Sequence, residues 1–148
     1  MAATTLSLET LDDLKSADLV VFVGADERPP LGAAGFVDWR LNGFLSRLMI
    51  SGQFQGKKME RMLTSTQGRI APERLFVFGL GDAAKFSRQN AQELGAKFAQ
   101  ILNDAGAKDF VIGQPGVGDR EAQKALLWGV QSKITLGEVA LWGAWPKV

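Results

Sequence analysis

The residues best placed to meet a ligand are small ones in two turns. Gly79-Leu80-Gly81-Asp82 ends the apolar run Leu75-Phe76-Val77-Phe78, and Gly32-Ala33-Ala34-Gly35 precedes a helical pattern that starts near Phe36 and carries Asp38. Loops of small residues ahead of a helix can donate backbone N–H groups to a phosphate or carboxylate. Glycine also lets a backbone turn sharply and approach closely. The spacing completes no phosphate fingerprint: Gly79-x-Gly81 lacks the third glycine of a dinucleotide turn, and neither loop is followed by Gly-Lys-Ser/Thr. Gly32, Gly35, Asp38, Gly79, Gly81 and Asp82 are the candidate ligand-binding residues, to be weighed against plain corners between elements. Asp38 is expected in the first turn of its helix, where a negative charge is stabilised without any catalytic role. Asp26-Glu27 adds two carboxylates near the same loop.

Other chemistry is narrowed by what the chain lacks. It has no cysteine and no histidine in 148 residues, which removes thiolate chemistry, disulfides and the commonest base and zinc ligand. No catalytic residue, metal ligand or cofactor is expected. A net charge of +1 gives no strong pull toward nucleic acid or an anionic membrane. Arg47, Lys57, Lys58, Arg61 and Arg69 fall in one region and read as a solvated face or as a contact for an acidic partner. No aromatic residues are interleaved with them as in single-strand binders. No run approaches the roughly 20 apolar residues of a membrane span, and Met1 to Thr10 does not read as a signal peptide. A cytoplasmic protein is the expectation.

These residues must be held by a framework, and the hydrophobic period supplies one. Leu6–Glu9 reads as a short first strand and Asp18–Gly24 as a clearer one, apolar on both faces. Pro29-Pro30 forbids regular structure in the loop from Ala25 to Gly35. Val37, Leu41, Phe44, Leu45 and Leu48 mark one helix from Phe36 to about Met49. Met59–Thr66 reads as an edge strand and Leu75–Leu80 as a central one. Ser87 caps a helix whose stripe is Ala91, Leu94, Phe98, Ile101, Leu102 and Ala105, closed by Gly106. Asp109–Gly113 is a strand, Asp119 caps a helix to about Gln131, and Glu138–Trp145 is a last strand. The alternation predicts a single α/β domain over residues 1–148, a three-layer α/β/α sandwich with a mixed sheet of five or six strands. Trp128, Trp142 and Trp145 crowd the end. Val139, Leu141, Trp142 and Trp145 are candidate interface residues, because Val139 to Trp145 is apolar on both alternating faces; core packing is the competing reading.

The order of several pieces carries a resemblance. Ala17-Asp18-Leu19-Val20-Val21, Val37-Asp38-Trp39-Arg40-Leu41-Asn42-Gly43, Phe54-Gln55-Gly56-Lys57 and Arg74 to Gly81 together resemble the amino-terminal domain of the leucyl aminopeptidases, the cytosol aminopeptidase family, over roughly Leu11 to Val130. The resemblance implies a macro-domain-like fold that precedes a separate domain carrying two metal ions and the catalytic lysine and arginine. That domain's Asn-Thr-Asp-Ala-Glu-Gly-Arg motif has only an echo here, Leu63-Thr64-Ser65-Thr66-Gln67-Gly68-Arg69, in which Ser65 and Gln67 replace the carboxylates. The resemblance therefore implies a non-catalytic module for protein interaction or oligomerisation, with a second copy or a full-length aminopeptidase as partner. Binding of ADP-ribose or a related phosphate-containing ligand is the alternative it implies. DNA binding is a weaker one that the charge does not support.

Overall fold

The computed structural model describes residues 5–15, 18–135 and 137–147. Ala17, at the head of the first family-like segment, and Val148 lie outside the described residues. Strand β1 (Asp18–Gly24) is buried along its whole length, as is β3 (Arg74–Gly81) beyond its first residue. Their apolar runs are what a sheet covered on both faces requires. The sheet has five strands in the order β2-β3-β1-β4-β5, with β2 (Arg61–Ser65), β4 (Phe110–Gly113) and β5 (Val139–Trp142). All pairings are parallel except β2 with β3, so the sheet is mixed, as the alternation of elements predicts.

Two cores follow from the alternation of side chains along β1 and β3. Val20, Phe22, Phe76 and Phe78 point to one face and pack under α4 (Arg88–Asp104) and α5 (Arg120–Lys133). There the Phe78 and Phe98 rings stack with centroids 4.3 Å apart. Leu19, Val21, Val23, Leu75 and Val77 point to the other face. They pack under α2 (Gly32–Arg40), α3 (Phe44–Ser51) and Leu11 of α1 (Leu8–Asp12). At the amino ends of the two central strands, Arg74 grips the buried Asp18 with two hydrogen bonds of 2.7 Å. A planar guanidinium fork fits a carboxylate in this way.

Three expectations are corrected. Leu6–Glu9 is not a strand. Ser7 Oγ accepts a hydrogen bond from the Thr10 N–H at 3.0 Å and the Thr10 hydroxyl oxygen accepts one from the Ser7 N–H at 3.2 Å, a reciprocal cap that starts α1. The helix expected from Phe36 to Met49 is two helices, broken where Asn42 and Gly43 take φ of 57° and 77°. The periodic stripe hides that break because α2 and α3 bury the same core. The last strand stops at Trp142, since Gly143 turns with φ 110°.

The pairing of α4 with α5 depends on two glycines. A Cβ on Gly95 would stand 2.3 Å from the Leu126 carbonyl, and one on Gly129 would stand 2.1 Å from the Gln92 carbonyl. Gly106, in contrast, has open space and only a positive φ of 72°. Gly95→Ala should therefore cost about 3 kcal/mol by urea denaturation, through helix separation. Gly106→Ala should cost about 1 kcal/mol, through backbone strain alone. Equal effects would contradict this account of the contact.

Candidate functional site at the carboxyl edge of the sheet

The polypeptide leaves β1 toward the face covered by α2, and leaves β3 and β4 toward the face covered by α4 and α5. Strand ends that part in this way open a crevice on each side of β1, the usual place for a ligand in a parallel sheet. Here the chain's own backbone enters both.

Between β1 and β3 the intruder is the segment Phe54–Glu60. Gly81 donates its N–H to the Gly56 carbonyl at 2.9 Å, while on the opposite side of β3 the Gly79 N–H extends the β2–β3 ladder to the Glu60 carbonyl at 2.7 Å. The Gly81 carbonyl in turn accepts from Ala25 at 2.8 Å. A Cβ on Gly79 would sit 2.1 Å from the Lys57 carbonyl, and one on Gly56 would sit 2.8 Å from the Gly24 carbonyl. The glycines of the Gly-x-Gly turn are thus used up by a crossing of the chain over itself. Glu60 holds the crossing segment in place, its Oε1 accepting from the N–H groups of Gln55 and Lys57 at 3.0 Å each.

Between β1 and β4 the intruders are Leu31 and Gly32. Ala33 donates to the Gln114 carbonyl at 2.9 Å, and Gly32, with φ 63°, leaves no space for a Cβ beside Gly116 and Pro115. Gln114 and Gln123 brace the facing loop. Gln114 Nε2 donates to Gln123 Oε1 at 2.9 Å, and Gln114 Oε1 accepts from the Ala144 N–H at 2.8 Å. Glu27, buried, ties this loop to the strand end: Oε1 accepts from the Gly24 N–H at 2.6 Å and Oε2 from the Leu31 N–H at 3.0 Å. Removal from water dominates these bonds and pushes its carboxyl above the usual glutamate value of 4.5.

The sequence candidates therefore do not converge on one pocket. Gly32-Ala33-Ala34-Gly35 is not a loop before a helix but the first turn of α2 itself. Asp38 lies in the later part of α2 rather than its first turn. It is 7% exposed and caps the next helix, with Oδ1 accepting from the Leu45 and Ser46 N–H groups at 2.8 and 3.2 Å and Oδ2 from the Ser46 hydroxyl at 2.5 Å. Gly81 and Asp82 line a cleft of about 360 Å³ bordered by Lys57, Lys58, Lys85 and Asn90. Asp82 spends one oxygen capping the short turn Ala83–Lys85. Gly35 and Asp38 line a different cleft of about 490 Å³, with Pro29, Pro30, Trp39, Asn42 and Gly43.

The tryptophans divide otherwise than their sequence positions suggest. Trp142 is fully buried and donates to the Thr10 hydroxyl at 2.8 Å; Trp145 is also buried and donates to the Ile112 carbonyl at 3.1 Å. Both rings belong to this chain's own core and offer no surface for contact, while Val139 and Leu141 are half-buried against it. Trp39, which is not among the candidate interface residues, is 70% exposed on α2. The sequence carries a signal for this, since Trp39 falls off the stripe of Val37, Leu41, Phe44, Leu45 and Leu48. The Leu63–Arg69 echo lies on β2 and its turn with no carboxylate in it, and it does not fit a metal pair.

Asp38→Ala should lower stability by about 2 kcal/mol through loss of the α3 cap, whereas Asp38→Asn should retain about half of that in urea titrations. Glu27 supplies a pH test. Because its folded pKa is raised, its favourable contribution is complete below pH 4.5 and is lost as pH rises through the folded value. The melting temperature of the wild type minus that of Glu27→Gln should be largest below pH 4.5 and should fall above it. A difference that grows with pH contradicts the burial argument.

Comparison with known proteins agrees with the architecture. Residues 4–132 match the N-terminal domain of the cytosol aminopeptidase family. A probable cytosol aminopeptidase of Pseudomonas syringae pv. tomato is 29% identical over 68% of the chain, and one of Nitrosococcus oceani 28% over 70%. The chain spans about a fifth of the length of these curated relatives, 20% in each case. Among solved structures, a tomato leucine aminopeptidase mutant superposes with a TM-score of 0.65 at 17% identity, over 99% of this chain and 33% of its own. The macrodomain of Mycobacterium tuberculosis DarG superposes with a TM-score of 0.62 at 13% identity, over 100% of both chains. At those identities the superpositions speak for the macrodomain-like fold alone. The family membership rests on the match across residues 4–132: the chain belongs to the cytosol aminopeptidase family, as its N-terminal domain.

Proposed function

We propose that this chain is a non-catalytic module that works by protein contact, with a second copy of itself or a full-length cytosol aminopeptidase as partner. The observation that carries this reading is the filling of both crevices beside β1 by Leu31–Gly32 and Gly56–Lys57. The edge where open α/β sheets bind ligands is occupied here by the chain's own backbone. The exposed indole of Trp39, above Pro29 and Pro30, supplies what an interface needs: a large rigid apolar anchor beside a cleft. Ile50 on α3 adds a second exposed apolar side chain, 80% accessible.

A small-ligand reading keeps one observation in its favour, the three lysines around the Gly81–Asp82 cleft, which suit a phosphate. ADP-ribose is the ligand to try. Calorimetry should give no binding heat with ADP-ribose at millimolar concentration; a saturable heat would favour that reading instead.

Sedimentation velocity of the chain alone, and mixed with a full-length cytosol aminopeptidase, tests the contact reading. A self-associated species or a mixed complex is expected. Trp39→Ser should weaken it about tenfold while leaving the melting temperature unchanged, since the ring is exposed. A strictly monomeric chain that forms no complex would overturn the reading.

A further inference from the structure

We propose that the free edge of β2 accepts an extended acidic peptide segment as an added strand, with a carboxylate seated between Arg47 and Arg69; this rests on the contact reading above and names the chemistry of the partner. The bonds from the Thr66 N–H to the Glu73 carbonyl at 3.0 Å and from the Gly79 N–H to the Glu60 carbonyl at 2.7 Å bracket the β2–β3 ladder. Residues in an antiparallel pair alternate between facing the partner and facing away. Glu60, Met62, Thr64 and Thr66 therefore bond to β3, and the N–H and C=O groups of Arg61, Leu63 and Ser65 point outward. No described strand covers them. No proline or bulge interrupts β2, and Leu63 stands 49% exposed between them. Such an edge is a template for another strand.

Charge selects the strand. Beside Thr64 and Ser65 lies a pocket of about 150 Å³ lined also by Arg47, Arg69, Asn42 and Thr66, with no carboxylate in its wall. Among the described residues Arg69 has no side-chain partner, and Arg47 reaches only the Asn42 carbonyl. Two guanidinium groups without a counter-charge are matched to a carboxylate. Arg61, exposed at the start of β2, adds a further positive charge to this edge. A second copy paired through β2 would bring two such edges together, and β2 itself carries no acidic side chain to relieve the repulsion.

The probe is an acetylated hexapeptide of alternating valine and glutamate, titrated into the isotope-labelled chain and followed by amide chemical shifts. Saturable shifts at Arg61, Leu63 and Ser65 are expected, weakening as salt rises. Arg69→Glu should weaken binding about tenfold or more. Leu63→Pro should do likewise while leaving the circular dichroism unchanged, because the N–H it removes points away from β3. Equal binding of the valine–lysine peptide overturns the proposal. So do identical shifts with inorganic phosphate, coupled with full binding by Leu63→Pro, since these describe an anion pocket without strand addition. Self-association of the free chain that Leu63→Pro abolishes would assign the edge to a second copy instead, and also overturns it. Association with a full-length aminopeptidase that survives both variants overturns this edge proposal alone and leaves the contact reading standing.

Discussion

The structure depends on one crossing. Phe54–Glu60 passes over the carboxyl ends of β1 and β3 at backbone contact distance, and it can do so only because Gly56 and Gly79 lie where a Cβ would collide with main chain and Gly81 takes a φ of 80° close against Lys58. Three of the backbone bonds that fix it, Gly81 to Gly56, Gly79 to Glu60 and Ala25 to Gly81, join segments far apart in the sequence. Buried backbone groups at strand ends must find partners, and in this chain they find one another rather than a ligand. The crossing also sets the start of β2, and so delivers the antiparallel edge strand that leaves the sheet open on that side.

The same logic repeats across β1. Leu31 and Gly32 close on Gln114–Gly116, and the two glutamines knit that loop to the segment that ends in Trp145. The two closures give a domain that retains the macrodomain-like frame while its carboxyl edge is occupied from within. A glycine-rich turn at a strand end can serve either end, ligand approach or chain approach, because both need the absence of a Cβ. Which one holds is decided by what stands opposite, and here it is main-chain carbonyl.

This explains how far the sequence could be read. The strands at Asp18–Gly24 and Leu75–Leu80, the Ser87 and Asp119 helix starts and the mixed sheet were legible because each rests on local chemistry: apolar runs, caps and turns. The family-like pieces Leu41-Asn42-Gly43 and Phe54-Gln55-Gly56-Lys57 were legible as landmarks, but their purpose was not. The first breaks α2 from α3 through two positive φ angles, and the second makes the crossing. The first is a local turn hidden by the stripe that runs on either side of it, and the second is a long-range backbone contact with no side-chain period. Asp38 falls late in its helix and not in the first turn because α2 starts four residues earlier than the stripe suggests, and its bond to Ser46 carries no sequence signal. The three carboxyl-terminal tryptophans could not be sorted by periodicity, since Trp142 and Trp145 reach opposite cores from one short strand and its tail.

Amide hydrogen exchange at Gly81, Ala25 and Ala33 tests the central claim most directly, because each of these N–H groups is bound to main-chain carbonyl at the closed edge. The account predicts slow exchange in the free chain, unchanged by millimolar ADP-ribose. Fast exchange at these amides that slows when ADP-ribose is added would show an open edge awaiting a ligand, and would contradict it.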